Sequence, residues 1–226
     1  MESLFESELS ARLRAAAPGA LGIVATGLLL PLLADAPQGW AAWIVLPAVL
    51  MPALINALEA VAAAREGRDR LLGLLPLSRR QTGLVRSAAP AVFQTLGGVA
   101  AVLLCLALTP FDTAASGLIP LIAALTAWLL LLGQAVALYE DLQTRRWGRR
   151  LGGAVGGAAA GAAIAVAFAL ALTVVGIAGG ATGRALVVSA AVVVTHPWDI
   201  ALASIAAAWL VVLNTELFVS RDLTAH

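Results

Sequence analysis

The chain alternates between long apolar stretches and short polar breaks. Apolar runs cover about 15–34, 40–63, 87–108, 117–139, 151–178 and 198–218. Each is long enough to cross the roughly 30 Å hydrocarbon core as a helix at 1.5 Å per residue. Since the bilayer offers a backbone no hydrogen bonds, helices are the expected spanning form, and the pattern predicts six of them. Between Ala185 and Thr195 the chain is apolar again, but His196-Pro197 interrupts a stretch too short to cross, which reads as a re-entrant or interfacial piece.

Two further segments carry amphipathic patterns. Residues 2–15 place Leu4, Phe5, Leu9 and Leu13 at helical spacing among Glu2, Glu6, Glu8, Arg12 and Arg14, which predicts an interfacial helix with its leucines in lipid. A cleavable signal peptide is the rival reading, disfavoured because the leader is acidic where such leaders are basic. Between the second and third runs, Leu71, Leu72, Leu74 and Leu75 follow a charged turn, and Pro76 ends that helix. Ser78 with Gln81 three residues on then forms a capping box that opens the next one. The expectation is a short amphipathic helix, about 66–76, set crosswise between two spans.

Charge gives the topology. The chain has no lysine, so its 14 basic residues are all arginines, and six of them fall within Arg65–Arg86. Four more, Arg145, Arg146, Arg149 and Arg150, follow the fourth run, and Arg184 stands alone on the opposite side of a six-span arrangement. Positive residues gather on the cytoplasmic side, so both termini are expected there, in a multi-pass protein of the cell (inner or plasma) membrane. Composition agrees: 61% hydrophobic and 12% charged residues leave too few polar groups to cover a water-soluble surface.

The chemistry is sparse. Without lysine there is no Gly-Lys-Ser/Thr phosphate loop, so any ATP would be hydrolysed by another chain. Two histidines and the lone Cys105 give no metal-ligand spacing and no nucleophile arrangement, so no enzyme and no cofactor on this chain are expected. No ionisable residue sits mid-span, which disfavours an ion-coupled transporter. The spans carry neutral polar residues instead. Asn56, Gln94 and Gln134 are candidates for a substrate path, although interhelical hydrogen bonds are the commoner use of such residues. Trp128 and Trp209, away from the aromatic belts, face a cavity, lipid or packed neighbours. In the fifth run, glycines at 152, 153, 156, 157 and 161 form overlapping Gly-x-x-x-Gly pairs, with Gly153, Gly157 and Gly161 on a smooth face suited to helix packing within the bundle or with a second subunit.

An interfacial first helix, six spans, and Glu66-Gly67 followed by Leu71-Leu72, then Leu74-Leu75-Pro76-Leu77-Ser78-Arg79-Arg80 and Arg86, together resemble the permease subunits of type-2 ABC transporters. The resemblance implies an exporter permease whose crosswise segment is a coupling helix. Glu66, Gly67, Arg70, Leu71, Leu74, Leu75, Pro76 and Arg79 would then contact a separate ATP-binding cassette subunit carrying ATP and magnesium. It further implies a second permease, identical or homologous, packed through the glycine face, with lipid around the pair and no nucleic acid. Two alternatives stay open: a haem-export permease of cytochrome c maturation, and a non-transporting membrane scaffold or assembly protein.

Overall fold

The computed structural model describes residues 2–33, 40–66, 78–108, 118–143 and 196–220. All regular structure among them is helical, in five helices: α1 Glu2–Leu33, α2 Trp40–Glu66, α3 Arg79–Leu108, α4 Ile119–Gln143 and α5 Pro197–Val219. Residues Arg79–Leu108, Ile119–Tyr139 and Pro197–Val219 are each long and apolar enough to cross a membrane. The chain is therefore a helical membrane protein. The fifth apolar run, with Gly153, Gly157 and Gly161, and the crosswise segment from Gly67 to Pro76 lie outside the described residues.

The expected interfacial helix is not a separate element. Glu2–Leu33 is one continuous helix, so the segment 2–15 and the first apolar run share an axis. Tertiary contact explains the difference. Ala16 is buried with Ile55 of α2 and Phe93 of α3, and Leu9 packs on the same cluster, so that leucine meets protein rather than lipid. Leu13 does stay exposed. A helix that gains protein neighbours this early has no reason to turn along the interface.

α3 packs against each of the other four described helices. Its amino end forms as the local sequence dictates. The Ser78 backbone N–H donates to Gln81 Oε1 (3.1 Å), and the Gln81 N–H donates to Ser78 Oγ (3.3 Å), the reciprocal capping box. The helix thus begins about two turns before its apolar run. α5 opens with Pro197 in its first turn, where the missing N–H costs nothing.

The larger core joins Val45 and Val49 of α2, Ala101 and Cys105 of α3, and Ile122, Leu125 and Leu129 of α4, with Trp128 packed against it. Close approach there depends on Gly97 and Gly98. A Cβ at Gly97 would run into the ring of Pro52, and one at Gly98 would lie 2.5 Å from Thr126 Oγ1. Bare backbone at these two adjacent positions seats α2 and α4 side by side against α3.

The outward faces are apolar. Val92, Leu96, Val99, Leu103 and Leu106 are exposed along α3, and Trp198, Leu202, Ile205, Trp209 and Val212 along α5. Both stripes repeat every three or four residues, one face of each helix. In water such stripes would be a liability; in a bilayer they are the expected solvent-facing surface.

Candidate functional site

Several polar side chains of the helices bond across to neighbouring helices. Arg12 is 9% exposed. Its Nη1 donates to Asn56 Oδ1 at 2.7 Å, and its Nη2 lies 3.9 Å from Glu8 Oε2 one turn back. Asn56 in turn donates through Nδ2 to the Pro90 carbonyl at 3.0 Å. This relay ties α1 to α2 and α2 to α3.

A second set adds a bond between α3 and α2 and brings in α4 and α5. Gln94 Nε2 donates to the Val49 carbonyl (3.1 Å), and Gln134 Nε2 to the Ser87 carbonyl (3.1 Å). Asn214 Nδ2 donates to both the carbonyl and Oε1 of Gln134, at 3.1 and 3.0 Å. Val49 lies three residues before Pro52, and Ser87 three before Pro90. A proline ring removes one backbone donor and crowds the turn before it. Glutamines from neighbouring helices thus supply N–H groups to the turns that prolines disturb, as lipid-embedded helices require.

These bonds also set the helices' directions. The amino end of α1, the carboxyl end of α2, the amino end of α3 and the carboxyl ends of α4 and α5 all lie towards one face. Arg80 confirms the register from outside, with Nη2 3.2 Å from Glu216 Oε1. Close by, the Arg86 guanidinium carbon lies 5.4 Å from the Phe218 ring centroid, within cation–π range.

Of the residues singled out from the sequence, Asn56, Gln94 and Gln134 make interhelical hydrogen bonds, and the latter two are buried. Gln94 Oε1, Asn214 Oδ1 and Trp128 Nε1 are buried without a hydrogen-bond partner. Trp209 points outward on the apolar stripe of α5. Glu66 closes α2, and Arg79, exposed, opens α3 on the same face. Gly67, Arg70, Leu71, Leu74, Leu75 and Pro76 belong to the undescribed connection between them. Sequence reasoning missed Arg12, whose charge was read as a mark of the interface. Its spacing from Leu9 and Ala16, which bury the same side of α1, was the available signal.

Arg12→Leu is expected to lower stability by about 1.5–3 kcal/mol, the range for hydrogen bonds involving a charged group. Arg14, exposed and donating from Nε to Ser10 O of its own helix, is the control. Arg14→Leu should change stability by less than about 0.5 kcal/mol. Thermal unfolding of both variants in one detergent decides the matter. Equal effects would mean that the relay contributes nothing.

Among the described residues no group of three or more His, Cys, Asp or Glu side chains is placed to hold a metal ion. The arrangement as described holds helices together and presents a charged, arginine-bearing end. Compared with family models, with curated proteins and with solved structures, the chain matches none.

Proposed function

We propose that the chain is the membrane-spanning permease subunit of an ATP-driven exporter, coupled to separate ATPase subunits and paired with a second permease. The observation that carries the reading is the common face of the helix ends. Glu66 and Arg79, which flank the crosswise segment, emerge at the same face as the carboxyl ends of α4 and α5. That face receives the arginine-rich connections, as a cytoplasmic docking side would.

Direction supports the span count as well. α4 and α5 both end at this face, so α5 starts at the face opposite to where α4 stops. The apolar run 151–178 is the stretch of sequence able to make that return, which brings the total to six with both ends cytoplasmic. ATP binding on the partner would then move the crosswise segment, and α2 and α3, joined directly to it, would carry the movement into the bundle.

Changing Leu74 and Leu75 together to aspartate tests the reading. The variant is expected to insert and fold but to lose at least about tenfold of the ATPase subunit recovered when the tagged chain is purified from its native membrane. An ATPase retained at the unmodified level would refute the coupling assignment, and recovery of a partner that is not an ATPase would favour the scaffold.

A further inference from the structure

Between the first turns of α3 and the last turns of α5 lies an open groove of about 320 Å³ whose surface is mostly apolar. Ser78, Arg80, Gln81, Thr215 and Glu216 line it together with Leu84 and Val212. We propose that this groove seats an anionic phospholipid, with its phosphate at Arg80 and an acyl chain over Leu84 and Val212.

The charges favour an anion. Arg80 lines the groove beside the Glu216 carboxylate, and Arg79 and Arg86 stand on the first two turns of the same helix. The Arg80–Glu216 pair is well hydrated, with side chains 77% and 51% exposed, so little is lost when Arg80 exchanges the carboxylate for a phosphate. Arginine is suited to that exchange, because its planar fork meets phosphate oxygens in pairs. Ser78 and Gln81 add polar groups beside it, at the level where the capping box opens α3.

The walls favour a lipid over a soluble anion. Leu84 and Val212 are both exposed, 41% and 59%, and Val212 continues the outward stripe of Trp209, Ile205 and Leu202 along α5. A molecule bound at Arg80 can follow that stripe only if it carries a hydrocarbon tail. Polar head and apolar tail meet here at the position where two spans pass from charged turns into apolar runs. An anionic headgroup at the membrane surface matches that step in both depth and sign.

The inference is independent of transport and is tested on the full chain in detergent, by native mass spectrometry with added phosphatidylglycerol or phosphatidylcholine. Phosphatidylglycerol is expected to bind at least about fivefold more tightly, the ratio that one basic contact at an anionic surface supplies. Arg80→Gln should remove that preference. Glu216→Gln, which removes the competing carboxylate, should strengthen it. The two variants pull in opposite directions, so the proposal stays testable if one of them fails to fold. Equal binding of the two lipids, no change in either variant, or displacement of phosphatidylglycerol by millimolar inorganic phosphate alone would each overturn it.

Discussion

Gly97→Leu is expected to destabilise the bundle by about 3 kcal/mol or more, the upper end of what overpacking costs. A Cβ there already collides with the Pro52 ring. Neither party can yield: the ring has no rotamer to adopt, and it belongs to a helix held by Gln94 at the Val49 carbonyl and by the core around Val45 and Val49. Relief requires α2 to move off α3, which opens the core on both. Gly133→Leu is the matched control, because nothing lies within 4 Å of a Cβ there. That change should be neutral or stabilise by up to about 1 kcal/mol, since leucine favours helix more than glycine does. Unfolding of both variants in mixed micelles, read by circular dichroism, should separate them clearly. If they behave alike, the close contact of α2 with α3 is wrong.

Gln134→Leu is expected to cost the bundle about 1–3 kcal/mol, through lost hydrogen bonds rather than overpacking. Gln134 spans three helices from one position, donating to α3 at the Ser87 carbonyl and accepting from Asn214 of α5. Interhelical hydrogen bonds in membranes average about 0.6 kcal/mol and reach about 1.7. Two of them disappear with the amide, and the Ser87 carbonyl is left buried without its donor. A double-mutant cycle with Asn214→Leu isolates the coupling. The expectation is that the second change costs less once the first is present, because the Asn214 bond to Oε1 has already gone. Strict additivity would mean that the two amides act separately and that the seam is not one network.

How much of this was legible in the sequence depends on the range of the interaction. The capping box at Ser78 and Gln81 was readable, since both partners lie within one turn and the pattern is local. So were the extents of α2, α4 and α5, which follow apolar runs to within a few residues. Arg12 was misread because a charge in an amphipathic segment is usually solvated, and the group that buries it, Asn56, is far away in sequence. Gln94 and Gln134 were visible as polar residues in apolar runs. Their partners were not, because a carbonyl at Val49 or Ser87 leaves no trace in the identity of the residue that bears it. Gly97 and Gly98 were passed over for the denser glycines at 152–161, since sequence counts small residues but cannot say which ones face a proline ring or a threonine.

The same use of main-chain acceptors has an evolutionary consequence. Asn56, Gln94, Gln134 and Asn214 each donate to a carbonyl that any residue would offer, at Pro90, Val49, Ser87 and Gln134. Drift at Val49 or Ser87 therefore leaves the bond available to any side chain that fits the space. Drift at Gln94 or Gln134 removes it at once. Related chains would be expected to keep the four amides while their acceptor positions wander, so that covariation between contacting residues, the usual statistical trace of a contact, would be faint along the seam that binds these helices together.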